Sequence, residues 1–310
     1  VTTATLAPSR LGTLASRAIV TLLAAGGFAG LCWADATALL AAPPAWWLAP
    51  VAAILAFGGA AEAGRMAGLG TTRDGGLPLG GLFMPLAAAA VPLAAVAAAR
   101  APAVAGSGPT AVIGWAAVAV VAGLGLVLVI EVGRYRPGTG SLARVAVAAT
   151  CIAAIGLPVA FMVGLRLLGD RRGPSALVPL VSMVAVVKGG DIAAYVVGSL
   201  VGRHKLAPLV SPGKTWEGAA ASLAASLAVA WLVLEWSGWS EGRQPWGGWV
   251  VYGLAVGVAG MLGDLSESLV KRELAAKDSG RSLGGLGGFL DLVDATLLAA
   301  PVAWLLWVLG

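Results

Sequence analysis

Between Ala111 and Ile130 the chain reads AVIGWAAVAVVAGLGLVLVI, with no charged side chain. A helix needs about 20 such residues to cross the hydrocarbon of a bilayer. In lipid, every backbone N–H and C=O must find its partner within the segment, so a run of this kind folds as a helix. Comparable stretches recur along the chain, and nine candidate spans emerge at about 17–34, 45–62, 79–98, 111–131, 142–165, 175–199, 216–236, 247–269 and 289–309. Only 11% of residues are charged and 59% are hydrophobic, whereas soluble domains carry about 25% charged residues. The expectation is an all-α integral membrane protein with about nine transmembrane helices. Residues 1–165 hold spans 1–5, and residues 166–310 hold spans 6–9 and most of the polar motifs. Cys32 and Cys151 lie inside apolar runs and read as free thiols packed as small hydrophobes. The first apolar run is too long for a signal-peptide core and reads as a retained helix.

Basic residues set orientation in membranes. With a cytoplasmic N-terminus, 14 fall inside: Arg10, Arg17, Arg65, Arg73, Arg134, Arg136, Arg144, Arg203, Lys205, Lys214, Lys271, Arg272, Lys277 and Arg281. Five fall outside, namely Arg100, Arg166, Arg171, Arg172 and Arg243, and the 166–173 loop is the clear violation. The N-terminus is therefore expected in the cytoplasm, with the loops at 200–216 and 270–288 on that side. The net charge of +5 reflects this topology, and no nucleic-acid partner is expected.

Ser211–Gly218 reads SPGKTWEG, which ends like a phosphate-binding P-loop. A true P-loop needs a glycine five residues before Gly213, where this chain has Pro208. The local reading is a helix start, with Ser211 as N-cap, Pro212 at the first helical position and Lys214 and Thr215 in the first turn. Such an N-terminus binds phosphate; a lysine there equally well snorkels to lipid headgroups.

The densest chemistry lies in 264–294, DLSESLVKRELAAKDSGRSLGGLGGFLDLVD, which holds six of the 15 acidic residues. Asp264, Glu267, Ser268 and Lys271 fall on one helical face, and Asp291 and Asp294 share another. Carboxylates converging from two helix ends form an oxygen-rich site that suits Mg²⁺. Ionisable groups within a span are costly and point to function. Glu267 and Lys271 also have ion-pair spacing. Lys188 and Asp191 are three apart and neutralise each other, while Asp191 also faces the 200–216 side. His204, the single histidine, has no partners for an acyl-transfer triad. The Trp residues gather at span ends, as an interfacial belt.

The segments GRHKLAPLVSPGKTWEG (202–218) and GDLSESLVKRELAAKDSGRSLGGLGGFLDLVD (263–294) resemble the two signature segments of the phosphatidate cytidylyltransferase (CDP-diacylglycerol synthase) family. The resemblance implies transfer of a cytidylyl group from CTP to phosphatidic acid with Mg²⁺, alone or with a second cation. It also implies a homodimer in a bacterial-type inner membrane with its site facing the cytoplasm. By matched position, Asp264, Asp291, Lys214 and Lys271 would be catalytic, with Asp264 and Asp291 as metal carboxylates and Asp294 beside them. Ser211, Lys205, Thr215, Glu217, Glu267, Ser268, Arg272, Lys277, Asp278 and Asp191 would complete the substrate site. Two departures stand out. The family commonly has Pro-Gly-His-Gly-Gly where this chain has Gly284-Gly285-Leu286-Gly287-Gly288, and Asp-Arg where it has Asp291-Leu292. Two other readings fit some of the residues: a CTP-dependent polyprenol kinase, which would release CDP, and an ion-coupled transporter.

Overall fold

The computed structural model describes residues 26–37, 43–68, 79–101, 109–138, 140–168, 174–274 and 288–310. Its helices are α1 (26–36), α2 (Ala49–Met66), α3 (Leu79–Ala98), α4 (Pro109–Arg134), α5 (Ser141–Cys151), α6 (Leu157–Leu168), α7 (Val178–Val201), α8 (Trp216–Trp231), α9 (Gly248–Glu273) and α10 (Phe289–Leu309). A π-helical turn at Ile152–Gly156 joins α5 and α6 into one rod. Pro158, just beyond it, has no N–H to give the preceding turn, and the wider turn absorbs that loss.

Among the described residues, six helices are long and apolar enough to cross a membrane: Thr110–Arg134, Ser141–Leu168, Ser175–Val201, Trp216–Trp236, Gly248–Glu273 and Phe289–Leu309. These match six of the expected spans. The 79–98 span is a shorter apolar helix, Leu82–Ala98. The 45–62 span is α2, which carries Glu62 and Arg65. Half of the 17–34 span, residues 17–25, falls outside the described residues.

The helical architecture carries one short β element. Lys205–Ala207 (β1) and Ser211–Thr215 (β2) form an antiparallel hairpin with Lys205 opposite Thr215 and Ala207 opposite Ser211. The expected helix start shifts accordingly. Ser211 and Pro212 are extended, and α8 begins only at Trp216, where the Thr215 side chain accepts from Gly218 N–H at 3.1 Å. A β-region threonine with this bond is the favoured way to satisfy a first-turn donor, and it lies four residues beyond the serine expected to do so.

Two cores meet along α6 and α10. The first gathers Val178, Met183, Val186 and Val187 of α7, Tyr252 and Val256 of α9, and Ala299, Ala303 and Trp307 of α10. The second gathers Ala56 and Ala60 of α2, Ala88 and Val91 of α3, Ile152 and Ile155 of the π turn, and Leu290 of α10. Half of the α10 span is buried, against 17% of the α4 span. The central rod is thus α10, and α4 turns Val121, Val129 and Val132 outward. Small residues set the close contacts. A Cβ on Gly263 of α9 would lie 2.6 Å from the Asp294 carbonyl oxygen of α10, nearer than any real side chain sits. Cys32 and Cys151 are free and buried, as expected.

Candidate active site

Helices α7 to α10 alternate in direction. The C-terminal ends of α7 and α9, the N-terminal ends of α8 and α10, and the β1–β2 hairpin therefore meet at one end of the bundle. Asp264 lies nine residues before the last residue of α9 and Asp294 five after the first of α10. At 1.5 Å per residue, both are sunk about 8–14 Å below their helix ends.

Asp264, Glu267 and Asp294 place one carboxylate oxygen each within 4.8 Å of one another. The close approach at Gly263 brings α9 and α10 near enough for this. Two lysines stand beside the trio. Lys214 Nζ, on β2, lies 2.8 Å from Asp264, and Lys271 Nζ, on α9, lies 3.0 Å from Glu267 and also pairs with Asp291. The expected Glu267–Lys271 pair is present. Asp291 belongs to a different arrangement from the trio: one oxygen takes Lys271 and the other accepts from Gly288 N–H at 2.8 Å.

Hard oxygen donors converging from two helices suit a small divalent cation, which favours carboxylate oxygens and retains some water. Glu267 is 8% exposed, and three clustered anions of this kind need cationic charge among them. The residues present therefore fit Mg²⁺.

Two cavities adjoin the trio. One, of 390 Å³, is lined by Asp191, Ser211, Lys214, Thr215 and Asp264, with Tyr195 and Ser199 along α7. The other, of 540 Å³, runs between α2 and α5 on one side and α9 and α10 on the other. Its walls are chiefly Ala, Val, Ile and Leu, and Glu267 and Asp294 stand in them. The acidic cluster thus lies in the partition between a polar and an apolar space.

The remaining expected residues are more dispersed. Asp191 pairs with Lys188 at 3.5 Å and lines the polar cavity. Glu217 accepts from the His204 ring at 2.7 Å and from the His204 backbone N–H at 3.3 Å, which clasps the hairpin to α8. Arg272 donates to the Val210 carbonyl at 3.2 Å, tying α9 to the hairpin turn. Lys205 is exposed on β1, and Ser268 is half-buried on α9 and lines neither cavity. Lys277, Asp278 and Leu286 lie outside the described residues.

Sequence reasoning missed Glu62. This fully buried residue of α2 accepts from Leu290 N–H at the start of α10 at 3.0 Å. A carboxylate inside an Ala/Gly-rich run was a usable signal; in the structure Glu62 also lies 4.0 Å from Arg65. It also missed Asp35, which pairs with Arg166 at 2.5 Å, both buried. Arg166 is therefore a buried residue of α6 rather than a loop charge.

Six long apolar helices among the described residues, together with an acidic cluster between α9 and α10, mark a membrane protein with a buried polar site. The family model described as "Cytidylyltransferase family" matches residues 16–309, and the chain belongs to that family. The chain is similar to a phosphatidate cytidylyltransferase of Brucella suis biovar 1 (strain 1330), 45% identical over 141 residues, 44% of this chain and 48% of that protein. A protein of the same name from Mycobacterium tuberculosis (strain ATCC 25618 / H37Rv) is 36% identical over 163 residues, 53% of this chain and 48% of that protein. The matched stretches thus span about half the length of these relatives.

Proposed function

We propose that the chain transfers the cytidylyl group of CTP to phosphatidic acid, giving CDP-diacylglycerol and pyrophosphate for phospholipid synthesis. The observation that carries this reading is the position of Asp264, Glu267 and Asp294 between a polar and an apolar cavity. One substrate is a hydrophilic nucleotide and the other has a charged head on apolar tails. A partition of this kind suits the meeting of the two. The family membership and the names of the relatives support the same reading.

A phosphatidate oxygen forms a bond to the α-phosphorus of CTP as the bond from that phosphorus to the bridging oxygen breaks and pyrophosphate leaves. The attacking oxygen is already ionised at neutral pH, so no strong general base is needed, in keeping with the lack of a histidine in the cluster. Asp264, Glu267 and Asp294 would hold Mg²⁺, which when bound neutralises phosphate charge. Lys214 reaches from the hairpin into the polar cavity, where its ammonium would meet nucleotide phosphates. Lys271, steered by Glu267 and Asp291, would face the lipid phosphate. Ser211 and Thr215 offer hydroxyls along the nucleotide path, and Asp191 lines the same cavity. Preorganised charges in a site shielded from bulk water are the largest contribution available to such a reaction.

The topology we propose has nine spans, a cytoplasmic N-terminus and the site facing the cytoplasm of a bacterial-type inner membrane, in a homodimer. Arg203, Lys205 and Arg272 at the site end support that orientation. Spans 6–9 supply the catalytic region, and spans 1–5 supply its frame.

The test is to incubate purified protein in lipid micelles with α-labelled CTP, phosphatidic acid and Mg²⁺, then extract the lipid. Label in CDP-diacylglycerol with stoichiometric pyrophosphate is the expected result. Release of CDP with phosphate on the lipid would replace the proposal with a kinase.

A further inference from the structure

The N-cap of α10 is Gly288, which has no side chain to accept from the first-turn amides. Leu290 N–H is buried at the second helical position, where a capping oxygen is normally required. Glu62 supplies one from α2, 228 residues away in sequence, at 3.0 Å, and the Glu62 side chain is fully buried. A second contact fixes the same turn. The Phe289 ring lies against Gly58 so closely that a Cβ there would come within 2.5 Å of Phe289 Cδ2. The turn held in this way carries Asp291 at its third position, and Asp294 follows three residues later. Glu62 and Gly58 are one turn apart on a single face of α2, so this face seats the start of α10.

We infer that Glu62 is a positioning residue: acting through the first turn of α10, it sets where Asp294 and the Asp291–Lys271 pair stand relative to Asp264 and Glu267. It touches neither substrate nor reacting atoms. Its role is that of a remote N-cap, which gives the N-terminal helices a part in the chemistry. The assignment rests on the acidic cluster being the reaction centre. Its test therefore includes readouts that do not depend on product formation.

Glu62→Ala, Glu62→Gln and Gly58→Ala are made in the full chain and purified in detergent. Mn²⁺ binding is followed by the loss of its free EPR signal, and amide exchange is followed in peptides spanning 288–296. Glu62→Ala is expected to weaken Mn²⁺ binding about tenfold and to speed exchange in the α10 first turn, an effect of the size seen when a helix cap is lost. Glu62→Gln keeps an acceptor oxygen and should stay within about threefold of the parent protein. Gly58→Ala displaces the turn by a different route and should mimic Glu62→Ala. In the transfer assay, kcat should fall while KM for CTP stays within about threefold, as for loss of an alignment felt mainly in the transition state. Unchanged Mn²⁺ affinity and exchange in Glu62→Ala would overturn the inference, as would a Glu62→Gln variant as impaired as Glu62→Ala. Product formation abolished by other causes would leave these two readouts intact, which separates failure of this inference from failure of the proposed reaction.

Discussion

Three carboxylates within 4.8 Å of one another repel unless positive charge is placed among them. Lys214 and Lys271 supply it in the structure, each from a different element. Lys214 comes from the hairpin and pairs with Asp264, whereas Lys271 comes from α9 and pairs with Glu267. The single-residue prediction follows from the loss of one cation ligand. Asp294→Asn should lower turnover at least ~100-fold, the cost typical of one key electrostatic group. The protein should still insert and run as a single species on size exclusion, since neither core includes the Asp294 side chain. Steady-state kinetics on the purified variant checks this. Turnover near that of the parent protein would remove Asp294 from the metal set.

At the scale of elements, the contact between α9 and α10 decides whether the trio forms. Gly263→Ala would place a methyl 2.6 Å from the Asp294 carbonyl oxygen and 3.1 Å from Ala295 Cα. The two helices would have to separate, and overpacking of this kind costs about 1–3 kcal/mol. A lower melting temperature together with at least about tenfold slower turnover is expected, because the trio takes members from both helices. Activity at the parent level would show that the helices slide without disturbing the acids. The elements also show what could be read in advance. Long apolar runs announce their helices, since lipid leaves no alternative, and the acidic residues of 264–294 stood out because charge inside such runs is rare. The hairpin was not legible. Its two strands are three and five residues long, too short for an alternating pattern, and Pro212 pointed toward a helix start. Nor could the trio be told from its neighbour. Asp291 and Asp294 share a helical face, and only the position of Lys271 shows that the first takes the lysine while the second joins Asp264 and Glu267. The link from Glu62 to Leu290 is a contact between distant segments, which no local spacing reveals.

At the scale of the whole molecule, a second buried charge pair holds the opposite part of the fold. Arg166 on α6 meets Asp35 at the end of α1, and Asp35 also accepts from Ala45 and Trp47 N–H at 3.1 and 3.3 Å. Removing one partner of a buried pair leaves an uncompensated charge and costs about 3–5 kcal/mol. Arg166→Leu should therefore lower thermal stability in detergent sharply. Residual enzyme that remains folded should keep its Mn²⁺ affinity, because the pair does not adjoin the acidic cluster. Differential scanning fluorimetry beside Mn²⁺ titration reads both quantities. A melting temperature equal to that of the parent protein would show the pair to be dispensable.

The double membership of α10 in both cores has a consequence for biogenesis. During synthesis α2 is made long before the partner of its carboxylate exists. Until α10 emerges from the ribosome, that carboxylate lacks the Leu290 amide it accepts from in the folded chain. The acidic trio is complete only once this later segment packs against α9, because Asp294 is the last of its three members to be made.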